Sequence, residues 1–268
     1  MTLLPPGFLD NVIAIGGRTP EGKTFWIASG FLYGHKILGK DDQYDIFLVT
    51  CKHVLQDKKS IVIRLNNQDG QTSKEFDVYL QDKEGKNNYF IHQNKEIDCA
   101  LLHLSPRKLI EFGIKITAFQ NDMNVATKTK MANLGIAEGD SIFVLGFPLG
   151  IVDPKKNFAI IRGGIISRIR DMYFGNSNNF IIDASIFPGN SGGPVVTKPE
   201  LTSIVNTPAV TSSYLVGIIS SYIPYKDIAF SKQTKEPLLV IQENSGLAKV
   251  IPIDYIEEII NYSISKSH

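Results

Sequence analysis

Ser191 lies in the hexapeptide Gly189-Asn190-Ser191-Gly192-Gly193-Pro194. The glycines permit backbone turns that residues with side chains resist. Such a turn pushes the serine hydroxyl outward and aims the amides of Gly189 and Ser191 at one point. A tetrahedral intermediate formed on a carbonyl would place its negative oxygen there. A serine hydroxyl is a poor nucleophile until a base takes its proton, so a histidine and a carboxylate are needed elsewhere.

Both occur upstream. Phe47-Leu48-Val49-Thr50 is an apolar, strand-forming run that leads into Cys51-Lys52-His53-Val54-Leu55. Asp98 opens a second apolar run, Cys99-Ala100-Leu101-Leu102. A lone carboxylate against such a run is costly to bury unless it accepts hydrogen bonds, and an imidazole N–H would supply one. His53 as base, Asp98 as its orienting partner and Ser191 as nucleophile form the expected catalytic set.

In this order the residues resemble the chymotrypsin-fold serine proteases, and within them the bacterial HtrA/Deg-type trypsin-like peptidases. The resemblance also rests on Asp183-Ala184-Ser185-Ile186 before the serine loop, Gly146-Phe147-Pro148-Leu149-Gly150, Gly164-Ile165-Ile166-Ser167 and Ser29-Gly30-Phe31. It implies an all-β fold of two antiparallel six-stranded barrels with a C-terminal helix. Residues 1–120 would carry His53 and Asp98, and residues 121–268 would carry Ser191, with the change-over falling within 118–135. The implied activity is hydrolysis of peptide bonds in proteins through an acyl-enzyme. A triad esterase or acyltransferase, and a latent protease-fold binding module, remain alternatives.

The resemblance extends to the substrate cleft. Leu215-Val216-Gly217-Ile218-Ile219-Ser220 resembles the strand beside the serine, with Ser220 hydrogen-bonded to Asp98 and the Ser220 and Tyr222 backbones pairing with a peptide. Ser185 would form the base of the specificity pocket, with Ile186, Ile219, Gly246 and Ala248 nearby. None of these is charged, so an uncharged, small to medium aliphatic P1 residue is expected. Asn190 departs from the digestive relatives, which carry an aspartate there to bind a newly released N-terminus. A neutral amide cannot make that ion pair, so cleavage-dependent activation of that kind is not expected.

Composition sets outer limits. The 268 residues are 43% hydrophobic and 21% charged with a formal net charge of +1, an ordinary globular balance. Nothing in that charge calls for nucleic acid or a membrane surface. Asp57-Lys58-Lys59 and Arg162, Arg168 and Arg170 read as solvated faces. No secretory signal pattern opens the chain, and no apolar run nears the ~18 residues of a membrane span. A cytoplasmic setting is therefore expected. Cys51 and Cys99, the two cysteines, suit a reducing compartment, as small buried residues or as a redox-sensitive pair. His35, His92, His103 and His268 are scattered without metal-ligand spacing, and no phosphate loop or dinucleotide fingerprint is present. No metal or cofactor is expected. A trimer is suggested by family analogy alone, and no PDZ-like module follows the final helix.

Short β-prone runs dominate: Phe25–Ala28, Ile46–Thr50, Ser60–Leu65, Ile142–Leu145, Phe180–Ile182, Val195–Thr197 and Leu215–Ser220. One helix is expected at the end, where Asp254 and Glu257 have capping-box spacing and Ile256, Ile259 and Ile260 recur at helical intervals. Two segments, Lys198–Ser213 and Ile223–Gln242, are longer than the family pattern and read as loops, the second as ordinary surface variation or, alternatively, as a lid or exosite.

Overall fold

The computed structural model describes residues 3–200 and 210–265. Part of Lys198–Ser213 and all of His268 therefore lie outside the described residues. The chain is mainly β. Its first sheet contains β1 (Val12–Arg18), β2 (Thr24–Lys36), β3 (Tyr44–Thr50), β4 (Ser60–Asn66), β5 (Ser73–Tyr79), β6 (Phe90–Ile91), β7 (Ala100–Leu104) and β8 (Phe119–Gln120). The strand order is β5-β4-β1-β2-β3-β7-β6, with β8 added in parallel to β2.

This first sheet differs from the six-stranded barrel expected. It has eight strands, and its outer strands β5 and β6 do not pair with each other. The intervening residues 80–89 turn back on themselves through a bridge between Gln81 and Asn87 instead of joining the two edges.

The second sheet is a closed six-stranded barrel. It comprises β9 (Ser141–Gly146), β10 (Ile160–Arg168), β11 (Phe180–Ala184), β12 (Pro194–Thr197), β13 (Leu215–Phe230) and β14 (Pro237–Pro252), in the order β10-β11-β14-β13-β12-β9. Alternating β-branched residues fill it: Ile142 and Val144 of β9, Ile182 of β11, Val216 of β13 and Val250 of β14 are buried together. The Ile223–Gln242 segment is not a loop. Its residues lengthen β13 and β14 into a hairpin that runs beyond the barrel.

Short helices fill the connections: α1 (Pro6–Asp10), α2 (Lys52–Leu55), α3 (Pro106–Glu111), α4 (Lys128–Asn133) and α5 (Arg170–Tyr173). The last, α6 (Asp254–Ser265), buries Tyr255, Ile256, Ile259 and Ile260 on one face. None of the described helices is long and apolar enough to cross a membrane. Although α6 follows β14 of the barrel, its apolar face joins the same core cluster as Phe31, Leu48 and Leu101 of the first sheet. Buried Arg64 of β4 adds a second tie, donating to the carbonyls of Asp153 and Pro154 in the β9–β10 connection at 2.7 and 2.8 Å.

The capping box is not formed. The Asp254 carboxylate accepts from the Lys128 amide at 2.9 Å, tying α6 to α4. Glu257 reaches the first sheet instead, accepting from the Tyr33 hydroxyl and lying 3.1 Å from Nδ1 of His35. The hydrogen bond to Glu257 raises the His35 pKa against the opposing effect of burial. Burial disfavours ionisation of Glu257, but its bonds from His35 and Tyr33 outweigh this and hold the carboxyl below its ordinary value.

The two shifts define a pH window. The His35 contribution is complete below the unfolded value of about 6.5 and is lost as pH rises through the elevated folded value. The Glu257 contribution is complete above its unfolded value of about 4.3 and is lost as pH falls through the depressed folded value. His35→Gln is therefore expected to lower the melting temperature more at about pH 5.5 than at about pH 8.5. Equal losses at both pH values in thermal unfolding followed by circular dichroism would contradict this coupling.

Candidate active site

The end of β3 sets the first reactive group. Thr50 is buried, and its hydroxyl donates to the Ser29 carbonyl at 2.8 Å, pinning β3 to β2. Cys51 follows in an extended conformation, and the one-turn helix α2 carries His53. The Cys51 thiol is buried and donates to the Ile219 carbonyl of β13 at 3.1 Å. Burial is the main cause that raises both the Cys51 and Cys99 thiol pKa values, with Asp98 adding to each. They are packed thiols rather than thiolates, and no disulfide joins them.

Asp98 stands just before β7 and accepts three hydrogen bonds. Oδ1 takes the His53 backbone amide at 3.0 Å. Oδ2 takes Nδ1 of His53 at 2.7 Å and the Ser220 hydroxyl at 3.1 Å. Burial opposes ionisation of Asp98, yet these bonds outweigh it and hold its pKa below the ordinary carboxylate value. With Nδ1 turned to Asp98, Nε2 is the ring nitrogen left to exchange a proton elsewhere.

Ser191 reaches this pair through Ser220. Its hydroxyl donates to the Ser220 carbonyl at 3.3 Å, while the Ser220 hydroxyl is bound to Asp98. Among the described residues no hydrogen bond joins Ser191 to His53 directly.

The loop before Ser191 is held on both sides. Pro188 O accepts from Leu149 N at 2.6 Å, and Asn190 O accepts from Gly193 N at 2.9 Å. In a trans peptide the N–H points opposite the preceding C=O. The Gly189 and Ser191 amides therefore point away from those contacts, and neither donates to another described group. The Ser29 hydroxyl accepts from Phe147 N at 2.9 Å and donates to Gly189 O at 2.7 Å. Ser29 N donates to Ser191 O at 2.9 Å.

Two glycines are required here. Gly189 has φ 99°, and a Cβ would lie 2.3 Å from Phe147 O. Gly192 has φ 84°, and its Cβ would lie 2.2 Å from Ser29 O and from the Thr50 hydroxyl. Asn190 is buried, with no partner for Nδ2 among the described residues.

The residues expected around the specificity pocket divide by environment. Ile186, Ile219 and Ala248 are buried, while Ser185 is exposed. Ile219, Ser220 and Tyr222 follow along β13, and Ala248 pairs with Tyr222 on one side and Ile182 on the other. Gly246, at φ 82°, lies in an irregularity of β14, and its N–H is taken by Asn244 Oδ1 at 2.9 Å. Asn244 also donates through Nδ2 to the Ile186 carbonyl.

Three contributors have no role in the sequence reading. Ser29 and Leu149 appear there only inside resembling segments, and Asn244 stands two residues before Gly246 of the expected pocket. A hydroxyl that orients a loop carbonyl leaves no spacing pattern. Leu149 carries a weak signal: it is a bulky residue between Pro148 and Gly150, where its φ is 57°.

Comparison with known proteins gives the family. Residues 28–200 match the trypsin-like peptidase domain family. A curated relative, described as a serine protease DegP homolog of Plasmodium falciparum (isolate 3D7), is 30% identical over 134 residues. That match covers 44% of this chain but 14% of the relative, so the chain spans about a seventh of its length. Among solved structures, the apo MamO protease domain from Magnetospirillum magneticum superposes with a TM-score of 0.48 and 13% identity. That superposition covers 94% of this chain and 97% of the other. Because the family match takes in more than half of its residues, this chain belongs to the trypsin-like peptidase domain family.

Proposed function

We propose that the chain is a serine endopeptidase, with residues 1–120 supplying His53 and Asp98 and residues 121–268 supplying Ser191. The observation that carries this reading is the double use of Ser220. Its hydroxyl binds the carboxylate that orients His53, and its carbonyl holds the Ser191 hydroxyl.

Reaction begins when the Ser191 hydroxyl leaves Ser220 O for Nε2 of His53, a rotamer change about one side-chain bond. His53 takes the proton as Ser191 Oγ bonds to the scissile carbonyl carbon, and the imidazolium is stabilised by Asp98. The carbonyl oxygen becomes an oxyanion facing the Gly189 and Ser191 amides, whose hydrogen bonds strengthen as charge develops. His53 then protonates the departing amine, leaving an acyl-Ser191 ester. Water attacks that ester with His53 again as base, releasing the acid and restoring Ser191.

The specificity pocket is assigned to Ser185, Ile186, Ile219, Tyr222, Gly246 and Ala248. The buried aliphatic side chains favour an uncharged P1 residue of small to medium size, because a charged one would lose water without gaining a partner.

A second reading has one observation in its favour. The Ser191 hydroxyl rests on Ser220 rather than on His53, as in a latent binding module that never makes the rotamer change. A fluorophosphonate probe separates the two. Labelling of the wild-type chain that disappears in Ser191→Ala supports the peptidase; no labelling of either supports the latent module. Ser191→Ala is expected to lower kcat on an unfolded protein by roughly 10⁶, and Asp98→Asn by roughly 10⁴. A loss under tenfold for Ser191→Ala in steady-state assays would remove it as nucleophile.

A P1-scanning peptide library is expected to rank Val, Ala and similar residues first. A profile led by Arg or Glu would exclude the pocket assignment.

A further inference from the structure

Beyond Tyr222, β13 and β14 leave the barrel as a paired ribbon running from Pro224 opposite Asn244 to Phe230 opposite Pro237. Among the described residues no other strand pairs with it. Cross-strand partners share a face, so Ile228 and Val240 lie on one side, and Leu239 and Ile241 on the other. These four are exposed, as are Tyr225 and Phe230 at 57% each. A two-stranded ribbon is marginal in water by itself, and its open edge is a template for another strand.

The ribbon is tied to the cleft at its base. Ser245 Oγ donates to Ile223 O at 2.5 Å and accepts from Leu247 N at 3.2 Å, holding the irregularity of β14 in place. Asn244 donates to the carbonyl of Ile186, five residues before the nucleophile in sequence. On the side away from β14, β12 and Gly192–Gly193 cover β13 as far as Ile219. The Ser191 hydroxyl meets the next carbonyl, that of Ser220. From Ser221 outward no described strand covers that edge. β13 itself thus continues from beside Ser191 to the ribbon tip, roughly 30 Å at the usual rise per residue, with irregularities between Ile219 and Ser221, Tyr222 and Pro224, and Ala229 and Phe230.

We propose that this arm is an extended docking edge for an unfolded polypeptide substrate. The part of the substrate N-terminal to the cleaved bond adds to β13 as an antiparallel strand from Tyr222 towards Phe230. Continuity with the cleft edge selects this occupant: antiparallel addition points the N-terminal side of the substrate outward along the arm and delivers its scissile bond to Ser191. Antiparallel pairing is also the more stable geometry per residue. Lys226 and Asp227 face Gln242 and Ile241, so the arm has no dominant sign of charge. It therefore selects alternating apolar side chains. The orientation rests on the serine-peptidase reading; the docking edge itself does not.

The test uses the full chain carrying Ser191→Ala, which binds without cleaving. The probes are a fluorescein-labelled hexapeptide with Val as its P1 residue and versions extended by about eight alternating Val and Thr residues on either side. In fluorescence anisotropy, the N-terminal extension is expected to tighten Kd by about tenfold or more, and the C-terminal extension to leave it within about twofold. Adding Ile228→Glu and Leu239→Glu, both exposed positions, should abolish the gain while leaving the circular dichroism spectrum unchanged. Equal Kd values for the two extended peptides, no measurable binding by the N-terminally extended one, or a gain that survives both substitutions would overturn the proposal. A fall in oligomeric mass by light scattering with peptide Kd unaltered would also overturn it, by assigning the arm to a second copy of the chain. Failure of wild-type probe labelling would instead remove the peptidase reading and leave these binding results standing.

Discussion

A carboxylate withdrawn from water is tolerated only when hydrogen bonds replace its hydration. Asp98 receives three, two from His53 and one from Ser220. Those donors come from different sheets, α2 following β3 of the first and β13 belonging to the second. Satisfying this one anion therefore ties the two sheets together where they meet, beside the Cys51–Ile219 and Ser29–Ser191 contacts. Losing the Ser220 bond would leave His53 oriented and Cys51 still bound to Ile219 of β13, but would remove the link from Asp98 to the residue that holds the Ser191 hydroxyl.

The loop before Ser191 applies the same logic to neutral groups. The carbonyls of Pro188 and Asn190 are held by Leu149 and Gly193, which turns the Gly189 and Ser191 amides of the same peptides the opposite way. The arrangement needs left-handed backbone at Gly189 and Gly192, where any side chain would strike a neighbouring carbonyl. Leu149 adopts φ 57° without being glycine. Such strain costs of order 1–3 kcal/mol and persists only where the surroundings enforce it. Here its amide is held by Pro188 O.

The reactive types are legible in the sequence because each stands where local patterns converge: a glycine-rich turn at Ser191, and strand ends at His53 and Asp98. The β-rich architecture and the apolar face of α6 follow from short periodicities. Long-range satisfaction of polar groups leaves no such trace. Asp254 and Glu257 carry capping-box spacing, yet tertiary partners, Lys128 for one and Tyr33 with His35 for the other, take both carboxylates. The β13–β14 arm is missed for another reason. Its apolar residues, such as the run Leu238-Leu239-Val240-Ile241, do not alternate with polar ones and cover no core, so segment length alone reads as a loop.

The final helix has a temporal consequence. Although α6 is attached to the barrel, its apolar residues belong to the core cluster that holds most of the first sheet's buried side chains. During synthesis, then, that cluster lacks the side chains of Tyr255, Ile256, Ile259 and Ile260 until α6 emerges from the ribosome.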